Sequence, residues 1–133
     1  MTTLLATTAS VDRTNDIAPV SKGRVVLWVG QFLIAAAFLI AGGSKFAGAP
    51  AMVSLFSAVG IGQWFRYVTG TIEVGSAIAL LVPSLAPYGA VALVATMTGA
   101  VFTHLFIAGG SPLPALVLGA GAAAIAWARR NQF

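Results

Sequence analysis

Between Arg24 and Arg129 this chain carries almost no charge. Only Lys45, Arg66 and Glu73 interrupt the uncharged sequence in that interval. Over the whole chain 59% of the residues are hydrophobic and 8% are charged, whereas a typical soluble domain has roughly 25% charged residues. So few charges cannot cover a folded domain of this size with a wetted surface. The sequence therefore predicts an integral membrane protein that has the lipid bilayer as its surroundings.

Four apolar segments approach or exceed the length of a membrane span, which is about 20 residues and at least about 17. They cover residues 25–44, 67–83, 88–107 and 113–128. Glycine, proline or charged residues end each of them. The predicted fold is all-α, an antiparallel bundle of four transmembrane helices. Because the second and fourth segments are short, a three-span arrangement with one re-entrant segment is the alternative.

The segment between the first two spans predicts a short helix that lies in the membrane interface. Pro50 suits the first turn of a helix, and apolar residues then recur at helical spacing. These residues are Met52, Leu55, Phe56 and Val59. Trp64 and Phe65 follow as aromatic anchors at the depth of the lipid headgroups.

The two ends of the chain predict its topology. Residues 1–24 are polar and are expected to form a flexible tail, which leaves residues 25–129 as the transmembrane domain. Most of the basic residues lie in the terminal segments, namely Arg13, Lys22, Arg24, Arg129 and Arg130. Since cytoplasmic segments are enriched in Lys and Arg, both termini are expected in the cytoplasm. The net charge of +4 has the same explanation, so no nucleic-acid partner is predicted.

The residue types present exclude several kinds of chemistry. The chain contains no cysteine, so it can form no disulfide and can perform no thiol chemistry of its own. One histidine and one membrane-embedded glutamate are too few for a typical metal site. Neither a metal nor a covalently bound cofactor is therefore predicted.

The ionisable residues in and beside the spans are the candidate functional residues, because charge inside a bilayer is costly. Under the predicted topology Lys45, Arg66, Glu73 and His104 all fall in the outer half of the membrane. Each shares a helical face with small or polar residues, and such faces usually meet other helices. We expect an outward-opening pocket between spans one, two and three. Glu73 is expected to pair there with one of the other three residues.

These positions give the predicted site. Lys45, Arg66, Glu73 and His104 are its ligand-binding residues, joined by Gln31 from the same face of the first span as Lys45. Glu73 and His104 are the candidate catalytic residues, since a carboxylate and an imidazole can exchange protons. A purely structural alternative exists for each: Glu73 can fix helix register as an ion pair, and His104 can be a solvated end residue. Lys45 and Arg66 can extend to the headgroups.

Four segments of the sequence match a known pattern in the same order. They are residues 41–46 (AGGSKF), 70–74 (GTIEV), 80–83 (LLVP) and 97–104 (MTGAVFTH). Over residues 25–129 the chain resembles the DoxX and DoxX-like family of small bacterial four-helix membrane proteins. The resemblance implies the bacterial cytoplasmic (inner) membrane, and it implies Lys45, Glu73 and His104 as candidate residues. Some relatives are described as subunits of quinone-linked thiosulfate oxidation, and others as membrane partners of redox-defence enzymes.

Three functions are compatible with these residues. The first is a membrane subunit or partner of a redox system that binds a quinone or another lipophilic small molecule in the pocket. Lys45 or His104 would hydrogen-bond to a carbonyl of that molecule. The alternative is a stand-alone enzyme in which Glu73 and His104 act as acid and base in an isomerisation, cyclisation or hydration. The third is a small transporter, which a four-span chain would form more readily as a homo-oligomer.

Overall fold

The computed structural model describes residues 21–133, and this part of the chain is helical with no β-strand. The prediction of an all-helical fold is confirmed for these residues. The predicted flexible tail lies mostly in residues 1–20, outside the described residues. Its last residues belong to the first helix, because Ser21 caps that helix and its side chain accepts a hydrogen bond from the Arg24 backbone N–H.

Five α-helices follow one another along the described residues. They are α1 (Lys22–Ala47), α2 (Pro50–Val59), α3 (Trp64–Leu80), α4 (Ala86–Thr103) and α5 (Leu113–Ala128). The end of α4 continues as a wider π-helical segment over His104–Ala108. A short 3₁₀ turn over Arg130–Gln132 follows α5. Prolines lie in the first turns of α2, α4 and α5, where the missing N–H breaks no helical hydrogen bond.

The connection between α1 and α2 depends on a glycine. Gly48 has a φ of 71°, and its N–H donates to the carbonyls of Lys45 and Ser44. A left-handed residue in this position ends a helix, and glycine takes that conformation without a steric cost. The chain can therefore turn directly from α1 into α2.

The four longer helices pack in a ring, with α1 against α3, α3 against α4, α4 against α5, and α5 against α1. The end of α1 meets the middle of α3, where Lys45 contacts Glu73. The start of α1 meets the end of α3, where Gln31 contacts Leu80. These two helices therefore run in opposite directions. Helix α2 covers one end of the ring, in contact with α3, α1 and the π-helical segment.

Small residues let α1 and α3 approach each other closely. A Cβ atom on Gly42 would lie 2.7 Å from the side chain of Val74 and 3.1 Å from the carbonyl oxygen of Gly70. Such close backbone approach at small residues is typical of helix pairs in membranes. The remainder of the core joins all four long helices and consists of Ala35, Phe38, Ala77, Leu80, Ala90, Leu93, Met97, Ala115, Ala122 and Ile125.

The outer surface of the helices is apolar. Val26, Ile40 and Phe106 are among the large hydrophobic side chains that it exposes. Within residues 21–133, two helical segments are long and apolar enough to cross a membrane, Lys22–Ala47 and Ala86–Ala108. Only 22% and 17% of their apolar windows are buried, whereas the core helix of a soluble protein is mostly buried. This surface fits a lipid environment better than water.

Candidate functional site

A cavity of about 480 Å³ lies at the end of the ring that α2 covers. Its volume is within the range of about 300–1,000 Å³ that is usual for small-molecule sites. Most of its wall is apolar. The apolar face of α2 that the sequence predicted closes one side of it, through Met52, Leu55, Phe56 and Val59.

Seven polar side chains interrupt the apolar wall of this cavity. They are Lys45, Thr69, Glu73, Thr96, Thr103, His104 and Ser111. Three of the residues that the sequence singled out, Lys45, Glu73 and His104, are thus brought to one cavity. They come from the end of α1, the middle of α3 and the end of α4.

Lys45 and Glu73 form an ion pair in the wall of the cavity. Lys45 Nζ donates to Glu73 Oε2 at 3.0 Å, and the two side chains are 10% and 1% exposed. Sequence alone left Lys45, Arg66 and His104 as alternative partners of Glu73, and the structure pairs it with Lys45. Pairing offsets part of the cost of burying both charges, because each neutralises the other.

His104 lies where the α-helical part of α4 ends and the π-helical segment begins. Its Nδ1 atom is 2.8 Å from the carbonyl oxygen of Ala100, one turn earlier. The backbone N–H of His104 donates to the same carbonyl. Single π-helical turns are frequent at functional sites, since they widen the helix and turn its side chains to new directions.

Arg66 lies behind the cavity wall and contacts the backbone of α1. Its Nη1 donates to the carbonyl of Lys45, its Nε donates to Gln63 Oε1 at 2.9 Å, and its Nη2 donates to the Tyr67 hydroxyl at 3.2 Å. The guanidinium also lies over the Tyr67 ring, 4.5 Å from its centroid. Arg66 therefore holds the end of α1 against the start of α3.

Gln31 lies in the first half of α1, away from the cavity. The 14 positions between Gln31 and Lys45 correspond to about 21 Å along the helix. Gln31 is fully buried; its Nε2 donates to the Leu80 carbonyl at 2.7 Å, and its Oε1 accepts from Arg129 Nε at 2.7 Å. Burial, and secondarily the positive charge of Arg24, lower the pKa of Arg129. Gln31 thus joins the ends of α3 and α5 to the start of α1.

The sequence interpretation missed the cavity hydroxyl groups of α4 and of the connection that follows it. Thr96 and Thr103 lie seven positions apart on α4, and Ala100 and His104 occupy the same face. That spacing is two helical turns, so the stripe was visible in the sequence. Ser111, in the connection to α5, carried no such signal. Within residues 21–133 no group of three potential metal-ligating side chains comes together.

The model of the DoxX-like family matches residues 29–129. The chain belongs to the DoxX-like family. The matched range includes the cavity and the three candidate residues Lys45, Glu73 and His104. Comparison with curated proteins and with solved structures gave no match. Family membership and the exposed apolar helices together indicate a membrane protein.

Proposed function

We propose that this DoxX-like protein spans the inner membrane of a bacterium four times and binds a quinone or another lipophilic small molecule in the cavity. It would act as a membrane subunit or partner of a redox system. The observation that carries the proposal is the buried ion pair of Lys45 and Glu73 in the wall of a mostly apolar cavity.

The ring of helices supports the four-span arrangement. Helices α3 and α5 have 17 and 16 residues, which correspond to about 24–26 Å at 1.5 Å per residue. That length is somewhat less than the ~30 Å of a hydrocarbon core, a mismatch that local thinning of the bilayer accommodates. Both helices pack beside the longer α1 and α4, so the four would occupy the same depth. Helix α2 would then lie at the membrane surface.

The basic residues support an orientation with both termini in the cytoplasm. Lys22 and Arg24 begin α1, and Arg129 and Arg130 follow α5. The contact between Gln31 and Arg129 places these two regions at the same end of the ring. An excess of Lys and Arg marks the cytoplasmic side. The cavity would consequently face the outer half of the bilayer.

The chemistry of the wall supports a lipophilic ligand with a polar headgroup. The apolar residues would cover a ring or an acyl chain, and Lys45 would contact the polar group. An ammonium group has three N–H donors, and within the described residues one of them is taken, by Glu73. The other donors remain for an oxygen atom of the ligand. The chain has no cysteine and its described residues bring together no metal-ligating cluster, so electrons exchanged with a bound quinone would pass to or from a partner protein.

A second candidate function is acid–base catalysis on a lipophilic substrate. The observation that favours it is that Glu73 and His104 line the same cavity. In that case the protein would turn over its substrate without a partner, and Glu73→Gln would abolish turnover while the fold is retained.

The test of the proposed function is the identity of what the protein carries from the membrane. The full chain is purified in mild detergent, and co-extracted small molecules are identified by mass spectrometry for wild type, Glu73→Gln and His104→Ala. Thr98→Val is the control, because Thr98 is exposed on α4 outside the cavity. A quinone or other lipophilic molecule should be present in wild type and the control and depleted in the other two variants. Equal content in all four folded proteins would contradict the proposal.

A further inference from the structure

Three threonines of the cavity wall have no hydroxyl proton left for a ligand. Thr69, Thr96 and Thr103 each donate to the backbone carbonyl four residues earlier, at 2.8, 2.8 and 2.9 Å. A hydroxyl group has one proton and two lone pairs. Towards the cavity, each of these oxygen atoms can therefore only accept a hydrogen bond.

His104 presents a fourth acceptor. Because the Ala100 carbonyl can only accept, the Nδ1 atom 2.8 Å away must carry the proton. In a neutral imidazole the other nitrogen, Nε2, then has a free lone pair. Within the described residues, every side-chain nitrogen or oxygen that is fully buried has a hydrogen-bond partner. Nε2 has no partner in these residues, so it is not fully buried. Nε2 is therefore accessible, and His104 lines the cavity.

Glu73 adds a fifth acceptor by the same reasoning. Its Oε2 atom accepts from Lys45, and its Oε1 atom has no partner within residues 21–133. Since no fully buried oxygen in that range lacks a partner, the 1% of Glu73 that is exposed includes Oε1, on the cavity that Glu73 lines. An ionised carboxylate can only accept hydrogen bonds.

Two donors face these five acceptors. One is the ammonium group of Lys45, and the other is the hydroxyl of Ser111, whose oxygen accepts from the Leu113 N–H at 3.2 Å. A ligand with carbonyl oxygens alone could satisfy Lys45. The same ligand would bring its lone pairs against those of His104 and the threonines, where no proton is available.

We infer that the cavity selects a ligand that donates hydrogen bonds, a quinol or a phenol of similar shape, over the quinone with the same ring. A quinol hydroxyl can accept from Lys45 while another donates to Nε2 of His104. The inference rests on the proposed function, because it assigns the chemistry of the ligand within the same cavity. The inference adds that the cavity wall matches the hydrogen-bond donors of the reduced form, the quinol.

Three probes of one shape separate hydrogen-bond donation from ring size. They are a short-chain benzoquinol, the matching benzoquinone, and the dimethyl ether of the quinol, which keeps the reduced ring but has no donor. Dissociation constants are measured by calorimetry for the full chain in detergent, without oxygen. The quinol should bind about tenfold more tightly than the other two probes, the effect of one well-made hydrogen bond.

Substitutions assign that preference to particular atoms. His104→Phe keeps an aromatic ring and removes Nε2, so it should lower the preference for the quinol several-fold. Thr96→Val removes one acceptor oxygen at nearly constant shape and should weaken quinol binding more than quinone binding. Thr98→Val is the matched control, since Thr98 makes the same backbone hydrogen bond two residues along α4 but lies outside the cavity. It should leave all three dissociation constants unchanged.

The wild-type protein alone can overturn the inference, whether or not the variants fold. If the quinone or the ether binds wild type as tightly as the quinol, the cavity is a ligand site without the inferred selectivity. If no probe binds the folded protein and nothing lipophilic co-purifies with it, the proposed function is wrong and the inference with it.

Discussion

Lys45 and Glu73 form their 3.0 Å ion pair where two glycines let the backbones of α1 and α3 approach closely. Each charged residue packs against a glycine of the opposite helix. A Cβ atom on Gly42 would lie 3.3 Å from the Cβ of Glu73, and one on Gly70 would lie 3.2 Å from the Cβ of Lys45. Both glycines are three residues before the charged residue of their own helix. The close helix contact and the ion pair therefore depend on the same four residues.

A large side chain at Gly42 should separate the two helices. In Gly42→Leu the new side chain would meet Val74 and the backbone of Gly70, and we expect a loss of about 2 kcal/mol or more in the free energy of unfolding. Gly43→Leu is the matched control, because nothing lies within 4 Å of a Cβ at Gly43. Thermal unfolding in detergent measures both. Equal stability of the two variants would contradict the close contact.

The ion pair itself should show strong coupling in a double-mutant cycle. Lys45→Met leaves the buried carboxylate of Glu73 without its partner, and Glu73→Gln leaves the ammonium group without its own, so each is expected to cost about 3 kcal/mol. The double variant has no charge at either of the two positions, so its loss of stability should be smaller than the sum of the two single losses. Unfolding of the four proteins in detergent gives the coupling energy. Additive effects would show that the two charges do not interact.

The residue pattern of the chain was enough to predict the helices. Runs of uncharged apolar residues end at glycine and proline. Both residue types favour the end of a helix, and their positions can be read directly from the sequence. The predicted fourth segment, 113–128, has the same limits as α5. The apolar spacing of α2 was also visible in the sequence. The surface against which that apolar face packs was not visible, and in the structure the face lines the cavity.

Which polar groups meet could not be predicted, because partner choice depends on the rotation of each helix about its axis. Arg66 and Lys45 are both basic residues near Glu73, but the guanidinium group turns to the end of α1 and the ammonium group turns to the carboxylate. Gln31 shares a helical face with Lys45, yet it lies about 21 Å away along α1. The π-helical segment at His104 had no signal in the sequence that we used.

Gln31 should contribute to stability and not to ligand binding. Gln31→Leu would remove the acceptor of Arg129 Nε inside the bundle, at an expected cost of about 1–3 kcal/mol. The control is Gln132→Leu, since Gln132 is an exposed acceptor for Nη1 of the same arginine, and its loss should cost less than about 0.5 kcal/mol. Unfolding in detergent tests both costs.

The same variants show whether Gln31 takes part in the ligand site. Because Gln31 is outside the cavity, the ligand content of Gln31→Leu should equal that of wild type, whereas Glu73→Gln should be depleted. Ligand loss in a folded Gln31→Leu protein would return Gln31 to the binding site that the sequence predicted.

The proposed topology can be tested by labelling introduced cysteines. The chain contains no cysteine of its own, so no native thiol would react with the reagent. Ser54 is exposed on α2, Asn131 is exposed after α5, and Ala120 is exposed near the middle of α5. Under the proposed topology, single substitutions of these residues by cysteine place a thiol at the outer surface, at the cytoplasmic surface and inside the bilayer, respectively. In intact bacteria a membrane-impermeant maleimide should label Ser54→Cys, and it should label Asn131→Cys only after lysis.

Ala120→Cys decides between four spans and three. If α5 crosses the bilayer, this thiol lies in hydrocarbon and should resist the hydrophilic reagent before and after lysis, since the reactive thiolate does not form there. Denaturation in SDS should restore labelling and proves that the thiol is present. Labelling of Ala120→Cys as fast as Ser54→Cys would mean that α5 is not embedded in lipid. The 16-residue α5 would then be a re-entrant or surface segment, and the two termini would no longer have to lie on one side of the membrane.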